Sequence, residues 1–140
     1  MYLRYGLLAD AVAPGAQNKK NIIGTFTTIL SQNFPCKHTS LSLAFRIEGA
    51  HTELGKHHLE LAFVDADFKE IGKPVAKDFN LQKEKLPIPG IPLAVELVME
   101  VRGLPLPGPG VYEFVLKIDG RHIGSVPLYV VQVAPTSPVE

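Results

Sequence analysis

Few side chains in this chain could do chemistry, and their spacing keeps them apart. Five histidines, His38, His51, His57, His58 and His122, raise the question of a metal site. His57 and His58 are adjacent in a run that reads as strand, so their rings project to opposite faces and cannot chelate one ion as a pair. No histidine lies two residues from another, the spacing that would set two rings on one face of a strand. His38 and His51 flank the run 41–48 and belong at its opposite ends. The expectation is solvated or hairpin-end histidines, with no metal ligands.

The remaining chemical signals are weaker. Asp65, Asp67 and Glu70 crowd one turn, but a calcium loop needs more oxygen ligands, a Gly at the bend and a distal bidentate Glu. A polar hairpin turn fits them better. Cys36 stands beside Lys37 and His38, which could activate a thiol, yet one thiol near one histidine makes no catalytic constellation. There is no Gly-x-Ser-x-Gly elbow. The glycines of the run 105–110 lack the following Lys-Ser/Thr of a phosphate loop. The Pro-rich runs 86–92 and 104–110 read as stiff connectors rather than ligands for Pro-recognising domains, since no basic residue flanks Pro105 to Pro109. Sugar binding leans on exposed aromatic platforms, and the chain has no Trp and 4 Tyr. No residue is therefore assigned a catalytic, cofactor-binding or metal-binding role, and no cofactor is expected.

What positions these groups is strand. Val111 to Ile118 alternates, Asp119-Gly120 turns, and Ile123 to Val131 runs back, which is a strong local hairpin signal. The pattern sets Tyr112, Phe114, Leu116 and Ile118 on one face. A three-residue loop with Gly120 as a bulge, placing Phe114 opposite Gly124, aligns Val126, Leu128 and Val130 with that aromatic face. Gly110-Val-Tyr112 suggests a tyrosine corner, in which the hydroxyl bonds nearby backbone. Further strands are expected over 2–12, with Leu3, Tyr5, Leu7, Ala9 and Ala11 on one face, and over 21–30, where Gly24 marks a bulge or a close approach. Others are expected over 41–48 (Leu41, Leu43, Phe45 and Ile47 inward), 57–65 (Leu59, Leu61 and Phe63 inward), 71–81 as an edge strand, and 93–102. No segment carries a helical apolar period.

Composition narrows the class. The chain has 140 residues, which suits one domain, expected over 1–134 with a flexible tail at 135–140. Fourteen basic and 14 acidic residues balance, which disfavours a nucleic-acid partner. Twelve Gly and 12 Pro match many turns between short strands. The lone cysteine makes no internal disulfide, the first ten residues do not read as a signal peptide, and no run reaches the ~18 apolar residues of a membrane span. A soluble cytoplasmic protein with no membrane partner is expected.

Leu7-Leu-Ala-Asp-Ala-Val12, Lys20-Asn-Ile-Ile-Gly-Thr-Phe26, Phe34-Pro35, Leu41-Ser-Leu-Ala-Phe-Arg46, Leu59-Glu-Leu-Ala-Phe-Val-Asp65, Gly110-Val-Tyr-Glu-Phe114 and Val126-Pro-Leu128 together resemble an uncharacterised bacterial β-sandwich domain family of unknown function. The resemblance spans nearly the whole chain. It implies a bacterial cytoplasmic β-sandwich and no chemistry.

The expected fold is all-β: a single antiparallel β-sandwich of about seven to nine strands, immunoglobulin-like in general shape. The expected function is a non-enzymatic protein-interaction or assembly module, with self-association as one form of it. The alternative is a small-ligand or carbohydrate-binding module. The reason is surplus apolar surface. Ala94 and Val98 lie opposite the core face of 93–102, and Ile123, Tyr129, Val131 and Val133 lie opposite Val126, Leu128 and Val130. One apolar face per sheet is enough for a sandwich, so the second calls for a cover, either from this chain or from a partner.

Overall fold

The alternation of 41–48 builds the centre of the core. Leu41, Leu43, Phe45 and Ile47 are each at most 1% exposed, and across from them Leu59, Leu61, Phe63, Phe114, Leu116 and Ile118 are buried. The computed structural model describes residues 1–82 and 89–134; the expected tail 135–140 lies outside the described residues, as do the first three residues, 86–88, of the first Pro-rich run. The described chain is all-β. Its strands are β1 (Tyr2–Pro14), β2 (Lys20–Phe26), β3 (Thr28–Ser31), β4 (Cys36–Gly49), β5 (Gly55–Val64), β6 (Val75–Leu81), β7 (Leu93–Leu106), β8 (Gly110–Ile118) and β9 (Arg121–Gln132). Two sheets result, ordered β2-β1-β4-β7 and β3-β9-β8-β5-β6.

A simple antiparallel sandwich is too plain a description in two respects. First, the four-stranded sheet curls into a half-barrel. Lys20 on edge strand β2 reaches Glu96 on the opposite edge strand β7, Nζ to Oε2 3.2 Å. In a flat sheet those strands lie three spacings of about 4.8 Å apart, too far for the two side chains to close comfortably. Second, the expected strand 21–30 is two strands. The chain leaves the first sheet after Phe26 and enters the second at Thr28, where β3 runs parallel to β9 with Ile29 beside Val130 and Leu30 beside Val131. Its β-branched run could not reveal that switch, because both halves look extended.

Two bulges set which side chains face the core. In β1 the register against β4 shifts between Leu3 and Tyr5. Leu3 and Leu8 therefore face the core, while Tyr5 and Leu7 turn outward, against the expectation of one continuous face. In the β8–β9 hairpin the loop has two residues, not three. Asp119 and Gly120 both have positive φ, 51° and 81°, as a type I′ turn requires. The extra residue sits further along β9, so Leu116 pairs with Gly124 and Phe114 with Val126. The parity is the expected one, and Val126, Leu128 and Val130 are buried.

β7 also runs past its expected end at Arg102. Gly103 adopts φ 62°, and Leu104 and Leu106 beyond it enter the core. The edge position expected for 71–81 holds for β6. Tyr112 forms the expected corner, its hydroxyl donating to the Gly108 carbonyl at 2.7 Å while its ring stacks on Phe63 at 5.1 Å. Gly24 is a close approach, since a Cβ there would run into the Asp10 carboxylate.

Candidate interaction surface

The outward face of the half-barrel gathers six titratable side chains from four strands. Arg46 of β4 lies between two carboxylates, with Nε donating to Glu48 at 2.9 Å and Nη1 to Glu96 at 3.3 Å. The Tyr2 hydroxyl donates to Glu48, the Tyr5 hydroxyl donates to Glu96, and Lys20 donates to the second Glu96 oxygen. Glu48 is only 6% exposed, so its charge persists because of these partners. The Tyr2 hydrogen bond and the Arg46 guanidinium hold Glu48 below the usual carboxylate range. Burial pushes Glu96 up, but the Lys20 ammonium and the Tyr5 and Arg46 hydrogen bonds bring it below its ordinary value. The Glu48 hydrogen bond and charge raise Tyr2, and burial together with Glu96 raises Tyr5. Two anions meet two cations, and every carboxylate oxygen has a donor. Such a closed set clamps the four strands together. Sequence reading missed this cluster because the bulge at Arg4 reversed Tyr5.

The clamp sits beside the first patch of surplus apolar surface. The β1–β2 hairpin folds back over it, and Val12, Ala13, Pro14 and Lys20 share a cavity wall with Val98. Ala44 and Ser42, on the same outward face of β4, are 1% and 8% exposed. That part of the second face is partly covered from within the chain, with Ala94 and Val98 half-buried.

The other part is not. On the outer side of the five-stranded sheet, Leu30, Val111, Tyr129 and Val131 are 63%, 48%, 43% and 43% exposed. Leu30 pairs with Val131 and Val111 with Tyr129, so four apolar side chains form one diagonal strip across β3, β9 and β8. The strip ends at β3, a four-residue edge strand.

The individually weighed residues stay scattered. His57 and His58 do face opposite ways, His57 bonding Asp119 and the Glu53 carbonyl, His58 bonding Asp78. His38 packs its ring near Phe26, 6.1 Å between centroids. The Cys36 sulfur lies 3.5 Å from the Ser31 hydroxyl and makes no pair with His38. Asp65 accepts the backbone N–H groups of Asp67 and Lys69, a polar turn as expected. Among the described residues no three His, Cys, Asp or Glu side chains converge as metal ligands, and no helix is long and apolar enough to cross a membrane.

Fold and surface together define an all-β, two-sheet domain with a closed charged clamp and one bare apolar strip. The sequence profile of a family of unknown function, DUF6941, matches residues 4–131, and the chain belongs to that family. No curated protein matches it. Among solved structures, it is similar to a Pseudomonas fluorescens alkylpurine DNA glycosylase AlkC bound to DNA containing an abasic site analog, with 17% identity and a TM-score of 0.45 over 76% of this chain and 28% of that one. It is also similar to a putative beta-galactosidase from Bacteroides fragilis, with 17% identity and a TM-score of 0.37 over 74% of this chain and 15% of that one. The chain thus spans under a third of either relative.

Proposed function

We propose that this chain is a non-enzymatic protein-interaction or assembly module that works through the strip Leu30, Val111, Tyr129 and Val131. One observation carries the reading: both sheets have surplus apolar surface, the chain half-buries one patch beside its own β1–β2 hairpin, and it leaves the other in solvent. An edge strand beside that patch offers unpaired backbone to a partner strand. The closed clamp supports a non-enzymatic role, since its carboxylates are already engaged. The tyrosine corner and the two facing sheets support an immunoglobulin-like sandwich as the finer description of the fold. The family resemblance and the single cysteine support a bacterial cytoplasmic setting.

Self-association is the form tested first. Light scattering on the gel-filtered chain is expected to show a dimer that Leu30→Lys with Val131→Lys converts to a folded monomer. A wild-type chain that stays monomeric at millimolar concentration, with strip methyl resonances unmoved by dilution, overturns the self-associating form.

A further inference from the structure

The two sheets part on one flank, between β6 and β7, and a cavity of about 180 Å³ opens there. Its floor is core. Leu61, Phe63 and Phe114 reach it, and these residues are 3%, 6% and 2% exposed. Its two lips match each other in chemistry. One is Gly72-Lys73, in the connection before β6; the other is Arg102-Gly103, inside β7. Both glycines have positive φ, 73° and 62°, and a Cβ on either would meet nothing within 4 Å. The glycine in β7 interrupts an otherwise regular strand at the mouth, where close approach of a ligand is a recognised reason for one. Arg102 bonds Glu100 through Nε at 2.8 Å, which leaves its terminal guanidinium nitrogens in solvent, and Lys73 is exposed on the facing lip.

From this arrangement we infer that the flank is a binding site for a small anionic amphiphile: a carboxylate carried on one ring or a short branched acyl group. The apolar part enters between Phe63, Phe114 and Leu61, and the carboxylate stays at the mouth between Lys73 and Arg102. Size supports this, because a dry apolar cavity of about 150 Å³ is known to hold one benzene ring. Charge supports it too, because Lys73 on one lip and the outer guanidinium nitrogens of Arg102 on the other, with only its Nε engaged by Glu100, favour an anion over its neutral isostere. The site uses neither the strip nor β3, so it stands apart from the interaction reading.

The test uses the full chain with labelled methyl groups and three probes: phenylacetate, its uncharged isostere phenylacetamide, and acetate. Phenylacetate is expected to shift the methyls of Leu61, Ile71, Val75 and Val101 saturably, with acetate moving none of them. Phenylacetamide, or the exposed double substitution Lys73→Gln with Arg102→Gln, is expected to weaken binding about fivefold. Val75→Phe, which fills the mouth from a half-exposed position, is expected to abolish it. Absence of saturable shifts overturns the site. Equal binding of acid and amide, or no effect of the double substitution, overturns the anionic ligand class. Shifts confined to Leu30, Val111 and Val131 move binding to the strip and overturn the flank site, whatever the chain's oligomeric state.

Discussion

His57 and Asp119, 62 residues apart, clip the tip of the β8–β9 hairpin to the start of β5. The ring gives one nitrogen to the Asp119 carboxylate and the other to the Glu53 carbonyl. Both partners accept, so both ring nitrogens donate, and the imidazole is held in its protonated form. The Asp119 hydrogen bond first, and the Glu53 carbonyl second, raise the His57 pKa above its ordinary value. The same bond, with the His58 N–H, lowers Asp119.

The sign of the pH dependence follows. His57 binds its proton more tightly folded than unfolded, so its contribution is fully present below the unfolded pKa, about 6.5, and is lost as pH rises through the raised folded value. Asp119 contributes above its own unfolded value, about 3.9, and that contribution is lost as pH falls through the lowered one. The melting temperature is expected to fall by a few degrees between mildly acidic and mildly alkaline buffer. His57→Gln is expected to flatten that slope, as scanning calorimetry across the range will show.

Arg46 neutralises the almost buried Glu48 and shares Glu96 with Lys20. Arg46→Met leaves Glu48 without its cation and is expected to destabilise the chain by about 2 kcal/mol, below the usual figure for a fully buried pair because Glu96 keeps Lys20. Adding Glu48→Gln is expected to restore part of the loss. Urea denaturation of the two variants and the wild type measures both effects.

Tyr112→Phe removes one hydroxyl and keeps the ring against Phe63. Loss of the bond to the Gly108 carbonyl is expected to cost about 1 kcal/mol, measured by the same denaturation. Hydrogen exchange is expected to rise first at the β7–β8 connection that this bond ties down.

Gly6 faces Val126 across the two sheets, and a Cβ at Gly6 would come 2.6 Å from Val126 Cγ2. Gly6→Ala is expected to destabilise by about 2 kcal/mol through overpacking. Val126→Ala in the same chain relieves the clash, so a double-mutant cycle is expected to show strong favourable coupling.

Much of the strand content was legible because burial repeats every second residue. Leu41 to Ile47 and Leu59 to Phe63 needed only alternation, and Tyr112 needed only its place after Gly110. The faces of β1 were not legible, since the bulge at Arg4 leaves no compositional mark and turns Tyr5 from core to clamp. The clamp itself was invisible for that reason. Its members come from positions 2 to 96, and only the curl of the sheet brings Lys20 to Glu96. The separate partners of His57 and His58, in contrast, followed directly from their adjacency in a strand.

Period-two patterning by itself determined that this chain forms strands, which side chains of its central strands leave water, and that apolar surface is left over. That information is local, carried by each residue's neighbours along the chain. Tertiary structure alone decided where the surplus goes: under the β1–β2 hairpin beside Val98, and into solvent at Leu30 and Val131. Curl, crossover and bulge placement depend on contacts between strands distant in sequence, and one shifted residue exchanges the inside of a strand for its outside.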